Sequence, residues 1–197
     1  MSDGGPGAAL RALVAAAVGD DRADPANAVT VVERGDDPGP AARIAALVDR
    51  AAEGDGGEDA GDDGAEDDKD DGAEDDEDDE GGGEAIVGVT PRADPSLARR
   101  VARGLDAEIR LVFTGSAGER LAGPAAPAVR SALAAHGVEP YRHEGDSPVA
   151  VLLVGDRAVV GLFDERGLAA VGWSDAAPVR EWAADTCRRF LADSDAV

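Results

Sequence analysis

Lysine is almost missing from this chain: Lys69 is the only one, and all the other basic residues are arginines. That lysine sits inside an acidic tract, so neither a P-loop nor a lysine Schiff base is available. Cysteine is as scarce. Cys187 stands alone, which excludes an intramolecular disulfide and a cysteine-built zinc cluster. Aromatic residues make up only 3% of the chain, with a single tyrosine and two tryptophans. No apolar run reaches the roughly eighteen residues that a membrane span requires. The apolar part of the N-terminal stretch has no basic flank ahead of it, as a secretory leader would. A soluble, cytoplasmic protein is expected, with no membrane partner.

Acid is what the chain has in excess: 42 Asp and Glu against 19 Lys and Arg, a net charge of −23. A chain of this sign is not built to hold a phosphate backbone, so no direct contact with nucleic acid is expected. An acidic, alanine- and glycine-rich, nearly lysine-free composition is of the halophilic type. Near 1 M salt the Debye length falls to about 3 Å, and self-repulsion on this scale becomes tolerable. An acidic protein of ordinary salt is the alternative.

The excess is concentrated. Between Glu53 and Glu84 lie 19 of the acids, which leaves 23 acids against 18 arginines elsewhere. Within this tract Gly64–Asp71 (GAEDDKDD) is repeated as Gly72–Asp79 (GAEDDEDD) with one substitution. Such low hydrophobicity and high charge cannot form a core, and residues 54–84 are expected to be a disordered insert. The glycine and glutamate spacing of an EF-hand is absent, so no calcium loop is read from it. As a coil it spans on the order of 30 Å, enough for a loop in one domain or a link between two. With 197 residues the chain holds one or at most two domains. Residues 1–53 are expected to be a helix-strand-helix of the same α/β domain as the core at 85–197.

Leu10, Leu13, Val14, Ala17 and Val18 recur at helical spacing and predict a helix over 7–18. Ala28–Val32 reads as a strand, and Pro40 opens a second helix with Ile44, Leu47, Val48 and Ala51 on one face. After the acidic tract come a strand at Ala85–Thr90, a helix at Asp94–Leu105, a strand at Ile109–Thr114, a helix at Ala125–His136 and a short strand at Val138–Tyr141. Then Val149–Val154, Ala158–Phe163 and Leu168–Trp173 form a three-stranded meander. Its turns are Gly155–Asp156 and the longer Asp164–Gly167. Runs this apolar fit strands covered on both faces. Val179, Trp182, Ala183, Thr186 and Phe190 mark a last helix, starting near Ser174 or Asp175. Alternating strands and helices followed by hairpins predict a mixed α/β sheet with an antiparallel C-terminal meander packed by helices.

Few residues invite chemistry. Residues 114–121 (TGSAGERL) read as a Gly-rich turn after a strand, a weak phosphate-cradle signal without the GK[ST] ending or G-x-G-x-x-G spacing. Ser116 is not in a G-x-S-x-G elbow. His143 precedes the meander and has no second metal ligand at a telling spacing, so no metal is assigned. Cys187 reads as a packed thiol, and Trp173 and Trp182 as core.

Four stretches together resemble a known family: VTP before a helix, EIRLVFTGSAGERL, GVEPYRHEGDSPVAVLLVGDRAVVGLFDERG and SDAAPVREWAADTCRRFLAD. Residues 85–193 resemble the C-terminal sensor, or effector, domain of archaeal winged-helix transcriptional regulators. The resemblance is to the methanogen filament-regulator type and, more distantly, to the sugar-sensing TrmB effector domain. Such domains are similar to half of a phospholipase D fold without its chemistry. The phospholipase D strand pattern H-x-K-x4-D, laid on the strand from Pro148, meets Pro148, Ala150 and Gly155. The resemblance therefore implies sensing and no catalysis. The winged helix of those regulators has no counterpart in residues 1–53.

The expected function is a non-enzymatic regulatory or sensor domain acting on transcription. Its partners are a small-molecule effector and a DNA-binding protein, with no cofactor and with self-association left open. Ligands of mixed α/β sheets tend to sit beyond the C-terminal strand ends. That nominates Thr90, Arg92, Thr114, Ser116, Arg142 and His143, with Arg92 and Arg142 as anion holders. Two alternatives stay open: a phosphate- or nucleotide-binding enzyme using the TGSAG turn, and a structural protein–protein interaction module.

Overall fold

The computed structural model of the protein describes residues 4–19, 28–52, 85–92 and 108–197. The helix expected at Asp94–Leu105 and the acidic stretch 54–84 lie outside the described residues.

Among the described residues eight strands form one mixed sheet in the order β1-β7-β6-β5-β2-β3-β4-β8. They are β1 (Thr30–Glu33), β2 (Ile86–Thr90), β3 (Ile109–Phe113), β4 (Val138–Arg142), β5 (Val149–Val154), β6 (Arg157–Asp164), β7 (Gly167–Ser174) and β8 (Asp195–Ala196). The five described helices are α1 (Pro6–Val18), α2 (Pro40–Ala52), α3 (Gly115–Ala122), α4 (Ala126–Ala134) and α5 (Ala177–Ala192). Strands β2, β3 and β4 run parallel, and every other pairing is antiparallel. The mixed α/β sheet and its C-terminal meander are as the alternation of elements predicts.

The two-sided burial read from the meander holds residue by residue. Val160 and Ala170 pack in one cluster with Leu10 and Val14 of α1 and with Val179, Ala183 and Cys187 of α5. Their chain neighbours Val159 and Val171 point the other way, into a cluster with Ile44 and Val48 of α2, Leu121 of α3 and Leu133 of α4. Successive strand residues face opposite sides, so unbroken apolar runs are what a sheet between two helical layers requires. Each such side chain, fully buried, contributes about 1.5–3 kcal/mol.

Proline and glycine set the element ends. Pro6 opens α1 at a position whose N–H would be unpaired anyway. Glu33 of β1 reaches back to accept the Gly7 N–H at 3.0 Å, which places a carboxylate at the N-terminus of α1. A β-carbon on Gly7 would collide with that carboxylate, so the approach depends on glycine. Gly155 takes φ +59 in the β5–β6 turn, as the two-residue hairpin predicts.

Several boundaries depart from expectation. Asp164 pairs with Gly167, so the β6–β7 turn is the two residues Glu165 and Arg166, not a longer loop. Residues 115–122 form helix α3 where a Gly-rich turn is expected, because Ala117 and Leu121, four apart, are buried against the sheet beside Phe113. Strand β8 was not foreseen. Both tryptophans are only part-buried: Trp173 lies under the Arg43 guanidinium at 5.3 Å, and Trp182 lies to the side of the α5 stripe formed by Val179, Ala183 and Cys187. Cys187 is a packed thiol, with burial pushing its pKa up to about 12.

One connection matters for function. β4 ends, and β5 begins, at the edge where the parallel strands have their C-termini, yet β3 and β2 lie between them. Residues 143–148 must therefore cross three strand spacings, about 14 Å, over the ends of β3 and β2. Six residues reach roughly 20 Å when extended, so the crossing is a short strap laid across the strand ends.

Leu10 is fully buried between α1 and the sheet. Leu10→Ala should cost about 2–5 kcal/mol in urea unfolding with the m-value unchanged. A cost below about 1 kcal/mol would mean that α1 is not part of the cooperative core.

Candidate functional site

All six nominated residues stand at one edge of the sheet, around the strap. Thr90 ends β2, and its Oγ1 donates to the Arg92 main-chain oxygen at 2.7 Å. Thr114 follows β3; its N–H donates to the Thr90 oxygen at 3.0 Å, which ties the two strand ends together. Ser116, in the first turn of α3, donates its hydroxyl to the Pro91 oxygen at 3.3 Å. His143 begins the strap, with its N–H on the Phe113 oxygen at 3.0 Å and its ring edge-on to Phe190 of α5 at 4.8 Å. The His143 Nδ1 accepts the Gly145 N–H at 2.8 Å, so the neutral ring carries its proton on Nε2. Thr90, Thr114, Ser116 and His143 are thus each bonded to a main-chain oxygen within residues 90–92 or 113.

The two arginines are not brought together. Arg92 reaches away from β3, and its Nη1 donates to the Asp164 main-chain oxygen at the end of β6, at 2.8 Å. Arg142 lies on β4, in register with Phe113, and faces Glu144 at 3.7 Å. Four strand spacings separate β6 from β4, on the order of 19 Å. The two guanidinium groups therefore cannot clamp one small anion between them, and each would act alone.

Thr114 carries the most unusual environment. Its side chain is fully buried, and its Oγ1 has no hydrogen-bond partner among the described residues. It occupies the residue before α3 with extended backbone but does not cap the helix. A buried hydroxyl left unpaired costs about 1–3 kcal/mol, so its persistence calls for a reason.

Three N–H groups at the start of α3 are taken by the protein itself. Gly115 N–H donates to the Gly145 oxygen at 3.2 Å, Ala117 N–H to the Pro91 and Thr114 oxygens at 3.2 and 3.1 Å, and Gly118 N–H to the Thr114 oxygen at 3.1 Å. Above them lies the Asp146 carboxylate. Gly115 has φ +48, and a β-carbon there would collide with Asp146 Oδ1. The turn read as a phosphate cradle is, in this conformation, a closed helix start beneath an acid of the protein's own. Asp146 was missed from the sequence, since only the crossing of the strap brings it to Gly115 of α3.

Beside this rim, Asp164 organises the β6–β7 turn. Arg34 donates to both of its carboxylate oxygens, Nη1 to Oδ2 at 2.8 Å and Nη2 to Oδ1 at 2.9 Å, and the Arg166 N–H donates to Oδ1 at 2.7 Å. The Arg34 hydrogen bonds, with the Arg166 N–H, hold the Asp164 carboxyl down at about 2. Arg34 was likewise missed, because its partner lies 130 residues away.

Comparison with known proteins places this arrangement. Among solved structures the chain is similar to TrmBL2, described as an archaeal chromatin protein with a novel mode of DNA binding, at a TM-score of 0.50 and 12% identity. The match covers 96% of this chain and 60% of that one, and at this identity it speaks for the fold alone. No curated protein matches the chain. The fold is thus one found in an archaeal DNA-associated protein, and the class defined is a domain of the transcription-regulator type.

The family is narrower. Residues 82–193 match the family model of the middle domain of the methanogenesis regulatory protein FilR1, and the chain belongs to that family. This agrees with the resemblance carried by residues 85–193. No described helix is long and apolar enough to cross a membrane.

The Asp164 carboxyl titrates below its ordinary 3.8, near 2. Its ion pairs are therefore complete above 3.8 and lost as pH falls toward 2. Asp164→Asn should lower Tm at neutral pH, and the gap to wild type should close across that acid window. The pair is exposed, so molar salt should shrink the gap as well. A gap independent of both pH and salt would assign Asp164 no electrostatic role.

Proposed function

We propose that the chain is the sensor part of a transcription regulator, taking a small polar or anionic effector at the C-terminal ends of its parallel strands. The observation that carries this reading is the buried Thr114 hydroxyl, unpartnered among the described residues, on a residue whose main chain is tied to Thr90 at the strand ends. An unmet hydroxyl at the edge where α/β sheets receive ligands is a group waiting for a partner. Arg92 and Arg142 flank the rim on opposite sides and steer or hold anionic parts of the effector separately. The effector is sensed and not turned over: at the strand resembling the phospholipase D catalytic strand, Pro148, Ala150 and Gly155 offer no acid, base or nucleophile. The net charge of −23 supports a reading in which DNA is met through a partner protein in a salt-rich cytoplasm.

Thermal-shift screening of phosphorylated and carboxylated metabolites in molar KCl tests this. An effector present at a hundred times its Kd should stabilise the protein by about 2.7 kcal/mol, several degrees in Tm. Thr114→Val should abolish the shift, and one of Arg92→Ala and Arg142→Ala should weaken it. Shifts identical to wild type in all three variants would remove the strand-end rim from the function.

A further inference from the structure

The strap over the strand ends is built like a closed gate, with a latch already in place. It is anchored at both ends, by His143 N–H on the Phe113 oxygen at 3.0 Å and by Ser147 Oγ on the Val149 oxygen at 2.6 Å. Between these anchors Glu144, Gly145 and Asp146 are exposed. The Gly145 oxygen takes the Gly115 N–H at 3.2 Å; the Gly145 N–H turns back onto the His143 ring, and the Ser147 N–H onto Asp146 Oδ1. The middle of the strap thus meets α3 through one long hydrogen bond and the seating of Asp146 over Gly115. Thr114, fully buried and with its hydroxyl unpartnered among the described residues, lies in the chain between Phe113 and Gly115, the two residues that hold the strap.

Resting on the sensor reading above, we propose that residues 143–148 are the gate of the effector site and that Asp146 is its built-in competitor. The Asp146 carboxylate, seated against Gly115, sets its negative charge beside the place that the carboxylate or phosphate group of a small anionic effector takes when the strap lifts. Lifting removes the Gly145 oxygen from Gly115, so that the Gly115 N–H and the Thr114 hydroxyl become donors to the incoming anion. The positive end of α3 adds to the attraction. Gly115 is required for both states: its left-handed φ and missing β-carbon admit an oxyanion, the protein's own or a ligand's. The effector then competes with an internal carboxylate. Closed and open forms become two states that the ligand biases by its greater affinity for the open one.

The probes are inorganic phosphate and acetate, titrated by NMR into the full chain in molar KCl. Asp146→Asn should tighten the better of the two at least tenfold. Thr114→Val in the Asp146→Asn background should undo that gain. Asp156→Asn, the same charge change at the opposite end of the sheet, should leave the affinity at its wild-type value. No tightening in Asp146→Asn, or equal tightening in Asp156→Asn, overturns the proposal. Amide exchange in the wild type gives a readout independent of any variant's folding. The Gly115 amide should exchange well ahead of the Val112 amide of β3, and added phosphate should slow it. Equal protection of Gly115 and Val112 means that the strap does not open, which also overturns the gate. A metabolite that stabilises wild type and Asp146→Asn alike would sink the gate and leave the sensor reading standing. If no metabolite stabilises either protein, the sensor reading fails, and the gate is still decided by exchange at Gly115.

Discussion

The antiparallel seam between β2 and β5 is the constraint on which the rest of the molecule depends. Val87, Gly88 and Val89 pair with Leu153, Leu152 and Val151, and through them the three parallel strands are joined to the meander. Gly88 belongs in that seam because a β-carbon there would strike Leu152 at 2.5 Å and the Val151 oxygen at 3.0 Å. Without this pairing β5 would be free to begin elsewhere. With it, β5 begins beside the C-terminus of β2, and the chain leaving β4 has no short route except across the ends of β3 and β2. The strap, the placement of Asp146 over Gly115 and the burial of Thr114 all follow from that choice of neighbour.

The same seam explains why the chemistry collects at one edge. Parallel strands direct all their C-termini one way, and the antiparallel meander returns β6 and its turn to that same side. Thr90, Thr114 and His143 come from three successive parallel strands, and Asp164 from the meander. Arg34, at the end of β1, reaches the same turn from the far side of β7. The flat faces of the sheet are closed by two apolar layers, α1 with α5 on one side and α2, α3 and α4 on the other, and are not available to a polar ligand. The strand-end edge is therefore where the proposed effector site is placed.

Much of the fold was legible from residue order, since periodicity and turn chemistry are local properties. The unbroken apolar runs at Val149–Val154 and Ala158–Phe163 specified doubly covered strands, and Gly155 specified the tight turn between them. Helix α3 was misread because glycines at 115 and 118 outweighed the spacing of Ala117 and Leu121 in a short segment, although that spacing was the usable signal. A β-carbon at the first would collide with Asp146 and one at the second would lie 3.0 Å from the Phe113 oxygen, and close approaches of this kind are invisible before the chain is folded. Of the site, the strand ends could be named from the order of elements. Strand order could not be, and so neither the separation of Arg92 from Arg142 nor the arrival of Asp146 was foreseen. The Arg34–Asp164 pair has no sequence signature at all.

The account stands on the strand-end rim being where an effector is read. A groove of about 380 Å³ lies elsewhere, between α1 and α5, lined by Ala17, Val18, Trp182 and Arg189, and it offers the natural contrast. Mapping amide shifts across the ¹⁵N-labelled chain on addition of a stabilising effector separates the two. The largest changes should fall at Thr90, Thr114, Ser116 and His143, with Gly145 and Asp146 shifting as the strap moves. Changes centred instead on Ala17, Val18 and Trp182, with the strap unmoved, would contradict it.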